Sequence, residues 1–246
     1  MFPLKDDNPT LLTPYVTVLI IAVNVAVWLT LEHAGSGSGY LRALCEHGLI
    51  PGHVTGSILP GTQIRGGRFV CTVGGEAWWS VFTSMFMHGG WLHLIMNMWF
   101  LWVFGNNIED AMGHVRFAVF YLVCGVLATA AHVASGPGSP VPTIGASGAI
   151  SGVMGAYLVL YPRVRVSTLF IIFIIIRIIP LPAWLLLLEW FALQLFTGAA
   201  GVAGGVAVWA HVGGFIAGGL LIPLFRSGKL LEAKRRAGAN IGSPLF

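Results

Sequence analysis

The sequence predicts an all-α polytopic membrane protein, a bundle of six transmembrane helices with a long structured outer loop between the first two. Three observations predict it. Hydrophobic residues make up 56% of the 246 and charged residues only 9%, against roughly a quarter charged in a soluble domain. Mean hydropathy is +0.83, more apolar surface than one soluble core of this size can bury, whereas a bilayer can. Apolar runs of spanning or near-spanning length recur at 15–34, 91–109, 115–134, 147–161, 182–198 and 203–225.

Residues 1–14 read as a short cytoplasmic N-terminus. They carry no basic cluster, so the run at 15–34 reads as a retained helix and not as a cleaved signal. The segment 35–88 is long for a loop and holds amphipathic pieces such as Trp78–Met87, so it reads as a structured interfacial element on the outer side. Cys45 and Cys71 share it, which leaves a disulfide open. A metal cluster of Cys45, His47, His53 and Cys71 matches no strong ligand spacing, and Cys124 reads as core.

Ser167–Ile179 is about 13 residues of apolar chain, ~20 Å as a helix and short of a ~30 Å hydrocarbon core. Pro180 and Pro182 interrupt it. If it does not span, Lys5, Arg116, Arg163, Arg165 and the tail residues Arg226, Lys229, Lys234, Arg235 and Arg236 all fall on one side. It is therefore read as interfacial or re-entrant on the cytoplasmic side. The six helices then occupy 15–225, both termini are cytoplasmic, and 226–246 is a basic tail facing an anionic leaflet. The net charge of +4 gathers at helix ends and in that tail, which excludes a nucleic-acid groove. A bacterial inner membrane is the expected location.

Polar residues within the membrane are costly, and each needs an account. His88, His93, Asn97, Ser147, Ser151, Glu189 and His211 are the candidates. Singly, a histidine is satisfied by a backbone carbonyl, and a serine bonds back to its own helix. Depth and packing argue for more. Ser147 and His211 each lie ~22 Å above the cytoplasmic boundary on helices running the same way. Gly148, Gly152 and Gly155 line one side of the fourth run, and Gly214 and Gly218 follow His211 on the sixth. Small residues at helical spacing let helix backbones approach closely in lipid. A serine hydroxyl becomes a nucleophile when a base of near-neutral pKa takes its proton, and histidine is suited to that task. Ser147 also opens its helix after Pro142 and Gly145, so free N–H groups of the first turn would face an oxyanion there, with His93 and Asn97 as further donors. No acid follows His211 in its helix, which predicts a dyad and not a triad.

At these residues the sequence resembles the rhomboid family of intramembrane serine proteases, from about Trp79 to Leu224. His88-Gly-Gly-Trp-Leu-His93-Leu-Ile-Met-Asn97 is similar to its motif of two histidines and an asparagine. Gly105-Asn-Asn-Ile-Glu109-Asp-Ala-Met-Gly113 is similar to its GxxxExxxG turn, Gly145-Ala-Ser147-Gly148 to its GxSG motif, and Ala210-His211 with the later glycines to its base motif. The resemblance implies Ser147 as nucleophile, His211 as general base, and an oxyanion hole of His93, Asn97 and the Ser147 amide. It implies as substrates peptide bonds in or near the transmembrane segments of other proteins, a lateral gate at Trp184–Leu195 with the loop before the sixth helix, water entering from the outer face, and no cofactor. Ser151 stands where the family often has an aromatic residue against the histidine. Trp79-Ser80 replaces a Trp-Arg pair, and Glu189 is an unexpected charge in the fifth run. The rival readings are a catalytically inactive rhomboid-like binding factor, a channel or transporter, and a haem-binding cytochrome. The last would need axial histidines on facing helices, and His88 and His93 do not share one face. The channel lacks an inverted repeat and a carboxylate lining.

Overall fold

Long apolar segments must satisfy their backbone hydrogen bonds within themselves if they are to lie in lipid, and here most do so as helices. The computed structural model describes residues 1–66, 69–172, 175–201 and 207–237. In chain order these form strand β1 (Phe2–Asp6), helices α1 (Tyr15–Thr30), α2 (Gly37–His47) and α3 (Pro51–Val54), strands β2 (Gln63–Gly66) and β3 (Phe69–Thr72), and helices α4 (Ser80–Thr83), α5 (Trp91–Phe100), α6 (Asn106–Met112), α7 (His114–Ser135) and α8 (Ser147–Leu160). Strands β4 (Arg165–Ile172) and β5 (Ile175–Pro182) follow, then helices α9 (Ala183–Ala199), α10 (Val208–Phe225) and α11 (Gly228–Arg236). A wider π-type turn at Leu101–Gly105 joins α5 to α6. Helices α7 and α10 are long and apolar enough to cross a membrane, and α1, α8 and α9 are shorter apolar helices.

The centre of the bundle is the contact between α8 and α10. A Cβ on Gly214 would overlap the carbonyl of Gly148, one on Gly218 the carbonyl of Gly152, and one on Gly155 the carbonyl of Phe215. Gly152 is closed on its other side by Cys124 of α7, whose atoms would stand 2.5 and 2.7 Å from such a Cβ. The small-residue faces seen in the sequence thus bring two helix backbones into direct contact, gaining dispersion where lipid offers no hydrophobic drive.

One end of the bundle is polar and interlocked. Glu109 accepts from the Val16 amide (2.9 Å), the Thr17 amide (2.8 Å) and the Thr17 hydroxyl (2.7 Å), satisfying orphan donors in the first turn of α1. Asp110 accepts from the Leu11 and Leu12 amides and pairs with Lys234 of α11 at 3.0 Å. Asn107 donates to Asp6 (2.8 Å), and its amide oxygen accepts from Lys234 (2.6 Å). The N-terminal strand and α11 therefore share this end. Gly113, at φ +82°, makes the reversal from α6 to α7.

Two expectations need correction. The class is mostly helical and not all-α, because two small antiparallel sheets are present, β1-β4-β5 and β2-β3. Ser167–Ile179 contributes to a β-hairpin, Arg165 pairing with Pro182 and Leu169 with Ile178, while β1 adds to its other edge. The β-branched run Ile-Ile-Ile favours strand, and Pro180 and Pro182 are tolerated because β5 is an edge strand. The first apolar run ends its helix at Thr30, not 34: His33 and Ala34 take positive φ, and Glu32 turns in to accept from the His88 amide at 2.9 and 3.0 Å.

Within 35–88 the described residues form α2, α3, the paired strands β2 and β3, α4 and a Cys45–Cys71 disulfide. Among the described residues no cluster could hold a metal ion, and Cys124 is buried and free. The start of the sixth run, at 203–206, and the end of the tail lie outside the described residues.

Candidate active site

The loop entering α8 is held by the 35–88 segment. Leu49 and Thr143 exchange backbone hydrogen bonds (3.0 and 2.8 Å), and the Gly145 amide donates to the Ser84 carbonyl at 2.9 Å. Gly145 has φ +138°, and a Cβ there would stand 3.0 Å from the His93 ring. Only glycine suits that conformation and that spacing. The next turn starts α8 at Ser147, and the Ile150 amide is bonded to Ala146. The amides of Ser147 and its neighbours are thus free first-turn donors.

Ser147 Oγ lies 2.7 Å from His211 Nε2. On the other side of the ring, Nδ1 lies 2.9 Å from Gln194 Oε1. An amide oxygen only accepts, so Nδ1 donates to it and Nε2 is left to accept from the serine hydroxyl. His93 Nδ1 accepts from the Gly89 amide at 3.2 Å, which leaves the proton on Nε2, the nitrogen turned toward Gly145. Asn97 is buried, and its amide nitrogen has no hydrogen-bond partner. Ser147, His211, His93 and Asn97 line one cavity of about 440 Å³, with Ser151 and Trp190.

The remaining predicted residues divide. Ser151 bonds back to the Ser147 carbonyl at 2.6 Å, the ordinary use of a helical serine. His88 is fully buried, its ring 5.2 Å from that of His93 in an edge-on contact. Gly148, Gly155, Gly214 and Gly218 close the contact between α8 and α10. Glu189 is exposed on α9 and stands apart from the cavity.

Sequence reasoning missed three residues. Gln194 partners His211, and Trp190, one turn away on the same face of α9, places its ring 5.8 Å from the imidazole. That ring supplies the aromatic contact that Ser151 does not. The available signal was a polar side chain inside an apolar run. Glu32 fixes the chain before α5 through the His88 amide, with no local pattern to announce it.

Chemically, the arrangement pairs a hydroxyl with an acceptor nitrogen and surrounds the position beside it with N–H donors. A model of the Rhomboid domain matches residues 75–228, more than half of the chain. Rhomboid protease GluP of Bacillus subtilis (strain 168) is 41% identical over 81 residues, 33% of this chain and 15% of that protein. RHOMBOID-like protein 4 of Arabidopsis thaliana is 31% identical over 154 residues, 61% of this chain and 34% of that protein. The mitochondrial presenilin-associated rhomboid-like protein of Bos taurus is 35% identical over 92 residues, 36% of this chain and 24% of that protein. The chain spans well under half the length of these curated relatives. The match of the domain model covers the four cavity-lining helices α5, α8, α9 and α10 and the motifs on them, and the chain is a membrane protein that belongs to the rhomboid family.

Proposed function

We propose that this chain is an intramembrane serine endopeptidase that hydrolyses peptide bonds in or near the transmembrane segments of other membrane proteins. The observation that carries the reading is the 2.7 Å contact of Ser147 Oγ with His211 Nε2 inside a cavity also lined by His93 and Asn97. Ser147 attacks the scissile carbonyl as its proton passes to His211 Nε2. The oxyanion is met by the Ser147 amide, His93 Nε2–H and Asn97 Nδ2. His211 then protonates the departing amine, the acyl–Ser147 ester remains, and water deprotonated by His211 attacks it, the proton returning from His211 to Ser147 Oγ as the acid product leaves.

In this reading 15–225 crosses the membrane six times, with the 35–88 segment on the outer side. The polar end that unites β1, the β4–β5 hairpin and α11 faces the cytoplasm with the basic residues Arg163, Arg165, Arg226 and Lys229. Substrate enters beside α9. Its buried residues are confined to Ala183, Leu186 and Leu187 at one end, which supports a movable opposite end.

The test is labelling of detergent-purified protein by a fluorophosphonate probe, alongside cleavage of model transmembrane substrates. Wild type and Ser151→Ala are expected to react, and Ser147→Ala and His211→Ala to fall to background. Labelling that persists in Ser147→Ala removes the assignment. A wild type that neither labels nor cleaves points to a non-catalytic member of the family.

A further inference from the structure

The bond between Gln194 and His211 joins two helices of unequal anchorage. Helix α10 is packed along its length against α8, with Val212, Gly214, Phe215, Gly218 and Ile222 buried. Helix α9 buries side chains only in its first two turns. Beyond them it meets the bundle through Trp190 and Phe191, whose rings lie 6.0 and 4.6 Å from that of Phe215, and through Gly198 against Val208 and Trp209. The polar side chains of that half are otherwise engaged elsewhere. Glu189 is exposed, and Thr197 bonds back to the carbonyls of Leu193 and Gln194. Gln194 alone among them reaches the site.

A neutral imidazole has one donor nitrogen and one acceptor, and the two tautomers are close in energy when nothing selects between them. With the proton on Nε2 the ring cannot take the proton of Ser147. In serine hydrolases a carboxylate commonly makes the selection. A carboxylate at this depth would carry a heavy desolvation penalty, whereas an amide oxygen selects the same tautomer without a net charge.

We propose that Gln194 is a positioning residue for His211: its amide oxygen holds the proton on Nδ1 and keeps Nε2 open toward Ser147, so the docked position of α9 sets whether the base is oriented. The proposal rests on the serine–histidine reading above and adds the coupling to α9. Hydrogen bonds weaken steeply beyond ~3.5 Å, so a displacement of the α9 end by an ångström or so releases the imidazole. Trp190, one turn away and beside the same ring, moves with it.

The test uses the full chain in detergent or bilayers, with Gln194→Leu, which keeps volume and removes the acceptor, and Gln194→Glu, which keeps an acceptor. The readouts are kcat and KM on a model transmembrane substrate, and 15N NMR of the His211 ring in histidine-labelled protein. We expect Gln194→Leu to lower kcat about tenfold with KM unchanged and to move the ring proton from Nδ1 toward Nε2. Gln194→Glu, whose buried carboxyl keeps a carbonyl acceptor when protonated, is expected to hold the ring proton on Nδ1. A wild-type spectrum with the proton on Nε2 overturns the proposal whether or not any variant folds. So does a Leu variant with wild-type kcat. If wild type is inactive but its ring carries the proton on Nδ1 and Gln194→Leu loses it, the hydrolase reading fails and the positioning contact stands.

Discussion

The Ser147 hydroxyl and the His211 imidazole, 64 positions apart in the chain, lie 2.7 Å apart because the backbones on which they stand touch. Gly148, the residue after Ser147, and Gly214, one turn beyond His211, meet with carbonyl against Cα, and Gly152 and Gly218 repeat the contact a turn further on. Side chains of ordinary size at those positions would push the two helices apart and take the hydroxyl out of reach of the ring.

Gly218→Val should therefore act at a distance. The added side chain meets the Gly152 carbonyl and Cα, which are main-chain atoms in a helix and cannot swing aside. We expect a stability loss of roughly 3 kcal/mol or more, read as a lower Tm in detergent. Activity at permissive temperature should fall more than that of a surface variant such as Leu220→Ala.

Asn97→Ala removes a buried donor that has no partner at rest. If that donor serves an oxyanion, kcat falls by about a hundredfold while KM holds, and Tm changes little or rises, since an unpartnered polar group has been deleted. A change confined to KM counts against the role.

Lys234 and Asp110 form an ion pair at 3.0 Å with side chains 1% and 2% exposed. Burial pulls the Lys234 ammonium below its ordinary range, and Asp110 opposes the shift. Lys234→Met should cost on the order of 3 kcal/mol by leaving Asp110 uncompensated. Adding Asp110→Asn should recover part of the loss, and thermal unfolding of the two variants checks the coupling.

Asp6 offers a pH dependence at the same end. Burial raises its carboxyl from the ordinary 3.8 to about 6, against the lowering effect of the Tyr157 hydroxyl and Lys234. The folded state then binds more protons than the unfolded one between those values, so this group's contribution to stability declines as pH rises through that window and is most favourable below it. Asp6→Asn should flatten the dependence of Tm on pH between about 4 and 6. The expected effect is on the order of 1 kcal/mol, and a profile identical to wild type counts against it.

Much of the arrangement was legible in the chain. The apolar runs at 115–134, 147–161 and 182–198 match α7, α8 and α9 to within a residue or so, because a run of that length in lipid has little choice but to close its hydrogen bonds as a helix. Ser147, His211, His93 and Asn97 were named from residue type, depth and glycine spacing, and one cavity gathers them. The hairpin at 165–182 was not legible, because a short apolar run fits strand or helix until a partner decides, and the partner is β1, more than 150 residues earlier in the chain. Cys45 and Cys71 were an open pair until α2 and the β2–β3 hairpin brought them together.

The sequence by itself determined which segments form the long apolar helices and which two of them touch, since chain hydropathy and glycine spacing are local properties read along one dimension. Tertiary structure alone decided what stands behind the His211 ring. Gln194 and Trp190 belong to a helix that meets the bundle at Phe215, Val208 and Trp209. Facing across helices is set by packing, and no periodicity along one of them encodes it.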